Sequence, residues 1–263
     1  MGAGGVVLHA NALTITDPAA TVQIDPLSQA GMYDWFVDGQ DYLAKQWFWY
    51  RVGATEERSI DTLTLLGTTP GPLAGAALLY TNATAGFDLK IDYTLNGTSP
   101  GVGSSDIDEQ VRIQNYSDST LSLSLFLYSD FNLDPGGDSV QEVVWKAQGS
   151  FSGYNRVVQT GGFVTQETIF GTRPTRAEVG QPGTLLSQLN DGSATVLPNT
   201  GISLGPIGPN DLAYVVQWDF NLAPGASVGI GIDKLIIVPE PTSLSLSLLG
   251  LAALWRATRR QRI

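Results

Sequence analysis

The chain has 263 residues, 43% of them apolar and only 15% charged, which excludes disorder over most of its length. It has no cysteine and one histidine, His9, so residues 13–238 have no disulfide, thiolate nucleophile, iron–sulfur cluster, Ser-His-Asp triad or histidine zinc site. Residues 1–239 carry ten basic and 24 acidic side chains, a net of −14, and such a surface repels a phosphate backbone.

Residues 1–12 read MGAGGVVLHANA. Ala10-Asn11-Ala12 is a small-x-small cleavage pattern behind the apolar Val6-Val7-Leu8, but no basic residue precedes it. The segment reads as a truncated signal-peptide remnant, with a flexible Gly/Ala-rich leader as the alternative. From 13 to 238 the period is two. A short strand is expected near 33–38. Gln46–Val52 carries bulky groups on both faces, so it predicts a central strand buried on both sides. Strands follow near 60–66 and 76–81. Phe87, Leu89, Ile91, Tyr93 and Leu95 then alternate with polar residues up to Asn96-Gly97. Further strands are expected near 107–115, across Leu121–Leu133, and near 140–147, 151–158 and 162–169. The one helix predicted before the tail is Thr184–Leu189, closed by Asn190-Asp191-Gly192. The last two strands, 212–222 and 228–232, read as a closing hairpin. Loops are expected at 67–75, 98–105, 171–183 and 198–211. The whole predicts an all-β fold: one antiparallel β-sandwich or jelly roll over 13–238, with roughly ten to twelve strands.

The tail changes character. Pro239-Glu240-Pro241 breaks any helix, and Leu244–Trp255 follows as an uncharged run that predicts a short hydrophobic helix. Arg256, Arg259, Arg260 and Arg262 then supply a dense positive stop, which on the positive-inside rule stays cytoplasmic. The apolar run spans about 18 Å as a helix, short for a bilayer, and a buried core helix is the alternative.

Three constellations carry candidate chemistry. Asp130, Asn132, Asp134 and Asp138 place hard oxygen donors at short steps, as a Ca²⁺ loop does. Pro135 and Gln141 stand where an EF-hand needs glycine and a bidentate glutamate, so the alternative is a polar strand ending in a turn. Calcium is the only cofactor the pattern suggests. Asp106, Asp108 and Glu109 precede or open a strand and offer a carboxylate pair for acid–base work on a glycoside. Among the aromatics, Trp47, Trp49 and Trp218 read as core. Tyr33 and Trp35, flanked by Asp34 and Asp38, read as an exposed surface for stacking on sugar rings.

The order Pro-Glu-Pro, apolar helix, arginine cluster at 239–263 resembles the PEP-CTERM sorting signal of exported bacterial proteins. That resemblance implies processing by a membrane-embedded exosortase, transient anchoring at the inner membrane, and delivery to the cell surface or extracellular matrix. Asp34–Gly39, Gln46–Gly53, Asp108–Asn115, Tyr128–Leu133 and Gln217–Phe220 resemble the all-β ectodomains found ahead of such tails, to which no activity is attached. The expectation is therefore a non-enzymatic, exported surface or matrix protein associated with exopolysaccharide. The alternatives are a carboxylate-based carbohydrate-active enzyme and a Ca²⁺-stabilised adhesion module.

Overall fold

Alternating apolar and polar residues can bury their apolar side only against a second layer, and the chain builds two such layers. The computed structural model describes residues 12–71, 74–133, 141–145, 156–160, 164–197 and 206–238. Residues 1–11, most of the expected signal-peptide remnant, and residues 239–263, the expected sorting signal, lie outside the described residues. In chain order the strands are β1 (Leu13–Asp17), β2 (Ala20–Asp25), β3 (Gly31–Val37), β4 (Gln40–Asp41), β5 (Leu43–Val52) and β6 (Arg58–Ser59). Then come β7 (Thr64–Pro70), β8 (Gly75–Asn82), β9 (Phe87–Gly97), β10 (Ser104–Asn115), β11 (Leu121–Phe131) and β12 (Gln141–Trp145). The last six are β13 (Arg156–Thr160), β14 (Val164–Gly171), β15 (Arg176–Gly180), β16 (Pro206–Asn210), β17 (Ala213–Leu222) and β18 (Ser227–Ile237). One helix, α1 (Pro182–Leu189), lies between β15 and β16. No helix among the described residues is long and apolar enough to cross a membrane.

The first sheet runs β1-β2-β3-β5-β11-β17-β15, and the second β16-β12-β13-β14-β18-β10-β9-β8-β7; every pairing is antiparallel. The all-β sandwich expectation holds. β5, the aromatic run, is central as its sequence requires, and β11 beside it is also buried on both faces. The second sheet buries Phe87, Leu89, Ile91 and Ile113, and Tyr50 of β5 meets the Phe87 ring edge-on at 5.7 Å. The outer faces of β5 and β11 hold Trp47, Trp49, Phe126 and Tyr128, all fully buried. That outer cover is pinned by polar contacts from the sheet. Trp49 Nε1 donates to Asn190 Oδ1, Arg51 pairs with Glu57 at 2.7 Å, and Glu57 accepts the Thr195 N–H.

The predicted closing hairpin is corrected. β17 and β18 follow one another in the chain but lie in different sheets. Asn115, buried at the end of β10, explains the corner. Its Nδ2 donates to the carbonyls of Ser119, Leu222 and Ala223, while its backbone bonds Gly225 and Ala226. One side chain thus holds two of the places where the chain changes sheet, from β10 to β11 and from β17 to β18. β7, expected as a loop from residue 67, runs on to Pro70 because it is an edge strand, where proline is tolerated.

The interior is not wholly apolar. Glu109, Lys234 and Glu167 point inward from β10, β18 and β14 and are at most 1% exposed. Lys234 Nζ donates to Glu109 Oε1 at 2.6 Å and lies 3.6 Å from Glu167 Oε2. The first sheet closes over them with Gln46, Ser129 and Tyr214. Removing one member strands the others, so Lys234→Met should lower unfolding free energy by about 3–5 kcal/mol in a denaturant titration. Lys90→Met, which breaks an exposed pair with Asp92, should cost less than about 1 kcal/mol.

Asp41 gives a pH-dependent prediction. It accepts the N–H groups of Trp35 and Leu43, yet burial pushes its carboxyl up to about 6. Its folded value lies above the ordinary one near 3.9, so its contribution is fullest below about pH 4 and is lost as pH rises through about 6. Asp41→Asn keeps a neutral acceptor. At pH 7.5 it should raise the melting temperature by roughly 2–4 °C, about 1 kcal/mol after solvent screening, and the difference should vanish near pH 4.

Candidate functional site

Because Gln46 faces the interior, its neighbour Lys45 faces outward, and so does its cross-strand partner Asp130 on β11. A register shift between Asp130 and Phe131 marks the same point, and such irregularities re-aim side chains. Tyr128, two residues back on the same face, donates its hydroxyl to Asp130 Oδ2 at 3.0 Å. The Tyr128 ring is fully buried between the strands, edge-on to Trp49 at 6.2 Å. Lys45 and Asp130 are half-buried, at the rim. The site is an ammonium and a carboxylate on adjacent strands, with the carboxylate held by a buried phenol.

The electrostatics follow from that burial. Burial raises the Tyr128 phenol, and Asp130 and Asp211 raise it further, so it stays a hydrogen-bond donor. Burial lowers the Lys45 ammonium, while Asp130 and Asp61 oppose the shift. Asp61, from the 3-10 turn Ile60–Thr62, is itself held by Trp47 Nε1 at 3.3 Å and by Ser59 Oγ. Asn132 Oδ1 is closed to solvent and accepts no hydrogen bond among the described residues.

The residues singled out from sequence are distributed as follows. Asp130 and Asn132 lie at this site, whereas Asp134 and Asp138 lie outside the described residues. Among the described residues no three carboxylates or histidines group as a metal site. Pro239, Glu240, Pro241, Arg256, Arg259, Arg260 and Arg262 also lie outside the described residues. Trp35 is corrected: it is not an exposed stacking platform but fully buried, with Nε1 donating to Ser105 Oγ across the sandwich at 3.2 Å. Tyr33 is half-buried and donates to Gln23. They separate, although two apart, because the β2–β3 register shifts between Gln23 and Ile24 and passes over Tyr33, so Met32, Trp35 and Val37 are buried while Tyr33 is not.

The carboxylates of β10 divide in the same way. Glu109 enters the core, while Asp106 and Asp108 face out from the second sheet, where Asp108 stands opposite Asp233. Burial and then the neighbouring carboxylates raise Asp108 and Asp233. Lys45, Tyr128, Glu167 and Lys234 were not singled out from sequence. Parity exposes one of them, since Lys234 keeps step with Ile232 and Ile236, as Glu109 does with Ile107 and Val111. A charge in the apolar phase of a strand is either paired or misplaced.

No family model and no curated protein matches the sequence. Solved structures do match by shape. A bacterial glucoamylase complexed with acarbose superposes with a TM-score of 0.57 at 9% identity over 88% of this chain, which spans 32% of the glucoamylase. A galactose mutarotase related enzyme from Lactobacillus acidophilus gives 0.57 at 9% identity, covering 86% of this chain and 97% of its own. A galactose mutarotase-like protein from Clostridium acetobutylicum gives 0.53 at 9% identity, covering 87% and 96%. At such identities the likeness is one of fold. It nevertheless corrects the expectation of a non-enzymatic surface or matrix protein. That expectation attached no activity to domains of this kind, whereas this sandwich recurs in proteins named for carbohydrate chemistry.

Proposed function

We propose that the chain is a carbohydrate-active enzyme doing acid–base chemistry at the anomeric carbon of an aldose. The observation that carries this reading is the Lys45–Asp130 cross-strand pair, with Asp130 fixed by the Tyr128 hydroxyl, on the outer face of the first sheet. Without histidine in 13–238, the acid and the base must come from carboxylate, amine and phenol groups, and this is where three of them converge.

The chemistry balances with these groups. Asp130 takes the proton of the anomeric hydroxyl, whose electrons form the C1 carbonyl as the bond from C1 to the ring oxygen breaks. Lys45 delivers its proton to that ring oxygen. After rotation about C1–C2 the ring recloses on the other face. The Lys45 amine recovers the proton, and the Asp130 carboxyl returns its own to the anomeric oxygen. Tyr128 is a positioning residue that orients the carboxylate. The names of the galactose mutarotase-like neighbours support the substrate class, and the tail at 239–263 supports a setting outside the cytoplasm.

The test is anomer exchange of D-glucose and D-galactose, measured by NMR saturation transfer with and without the protein. The protein should accelerate exchange well above the buffer rate. Asp130→Asn and Lys45→Met should each lower that acceleration by about 10²–10⁴-fold. Exchange at the buffer rate for both sugars, or variants as active as the parent chain, would refute the reading.

A further inference from the structure

The outer-face pair has an unusual backing. Lys45 and Asp130 are partners in the β5–β11 register, and the next pair inward along the two strands is Gln46 with Ser129. Those two side chains point the other way, into the core. Gln46 Nε2 donates to Glu109 Oε2 at 3.2 Å, and Ser129 Oγ donates to Glu167 Oε2 at 3.4 Å. The third first-sheet strand joins the same point, because Tyr214, the β17 partner of Ser129, donates to Glu167 Oε2 at 2.7 Å. Lys234 ties the two glutamates together from the opposite sheet.

We infer that the buried Glu109–Lys234–Glu167 triad is a positioning device for the Lys45–Asp130 pair, transmitted through Gln46 and Ser129. The inference rests on the acid–base reading of that pair. Its physical basis is the directionality of the bonds. Apolar packing lets adjacent strands slide and tilt by small amounts, since it has no preferred angle. A hydroxyl and an amide bonded to sealed carboxylates do not allow that. Each of the three adjacent strands β5, β11 and β17 of the first sheet is fixed to the same three-residue cluster, one residue away from the reacting pair on β5 and β11. The arrangement also explains why sealed charge is kept here at all. A well-packed apolar trio would serve stability as well or better, so a buried ion cluster is better accounted for by what it specifies.

The experiment cuts the link without touching the pair or the charges. Ser129→Ala removes the hydroxyl that joins β11 to Glu167. Ser105→Ala is the matched control, because it removes a buried inter-sheet hydrogen bond, to Trp35, that has no connection to the triad. The readouts are the NMR titration midpoints of the Lys45 ammonium and the Asp130 carboxyl in the full chain, with anomer exchange beside them. Ser129→Ala should shift at least one midpoint by about half a pH unit or more. It should also lower kcat/KM about 10- to 100-fold. Ser105→Ala should lower the melting temperature and leave both midpoints and exchange unchanged. Equal midpoints in Ser129→Ala, Ser105→Ala and the parent chain would overturn the inference and leave the triad structural. If the parent chain catalyses no exchange, the proposed function fails on its own, and the midpoints still decide whether the triad positions the pair.

Discussion

A lysine ammonium sealed between two glutamates is the constraint around which this sandwich is arranged. Lys234, Glu109 and Glu167 come from the three central strands of one sheet, and their remaining partners come from three adjacent strands of the other. Taking such charges from water costs several kcal/mol each, and only close, complete pairing offsets it. Burial therefore raises Glu109 toward its neutral form, and Lys234 and Gln46 pull it back. The geometry admits one register. A one-residue slip in β10 would turn Glu109 to solvent and put Asp108 or Gln110 in its place, leaving Lys234 without its 2.6 Å partner. Apolar residues fix that the sheets stack, and the triad fixes how.

A second polar device decides which strands stack. Consecutive strands usually pair, and β8, β9 and β10 do. The chain leaves the second sheet after Asn115 to enter the first as β11, and after Leu222, at the end of β17, it passes from the first sheet to the second as β18. These two crossings meet at the Asn115 side chain, whose amide donates to the carbonyls of Ser119, Leu222 and Ala223. Without it those carbonyls would lose that donor, each at about 1–3 kcal/mol where left unsatisfied. The two crossings bring β11 and β17 side by side, which places Tyr128, Ser129 and Asp130 beside β5 on one flank and Tyr214 on the other.

Much of this is legible in the sequence, and the parts that are not share a cause. Period-two alternation marks β9, β11 and β17 within a residue or two and the body of β10 and β18, and the two-sided bulk of Gln46–Val52 marks the centre of a sheet. Parity also separates Glu109 from Asp106 and Asp108 and would have moved Trp35 into the core. It was outweighed there by the acidic neighbours, whose side chains lie on the other face. Pairing is different. Nothing local distinguishes a tight turn that keeps two strands in one sheet from one that carries the chain across, so 223–226 reads as a hairpin. The discriminating atom is the Asn115 amide, over a hundred residues away. Lys45 and Tyr128 are silent for the same reason. They are a surface-type lysine and a strand tyrosine until β5 and β11 are laid side by side.

Composition narrows the chemistry of this chain more than its fold does. The sandwich is shared at 9% identity with proteins named for different carbohydrate tasks, so its outline leaves the reaction open. The absence of histidine and cysteine from 13–238 removes the side chains that most often shuttle protons near neutral pH. What remains must be tuned by burial: amines brought down, phenols and carboxyls pushed up. On the first sheet this tuning meets complementary geometry, with a lowered ammonium facing a carboxylate that a raised phenol holds. On the outer face of the second sheet it meets mainly like charge, where burial and then the neighbouring carboxylates raise Asp108 and Asp233. An acid and a base must differ to exchange a proton with a substrate in both directions, and only the first arrangement provides that difference.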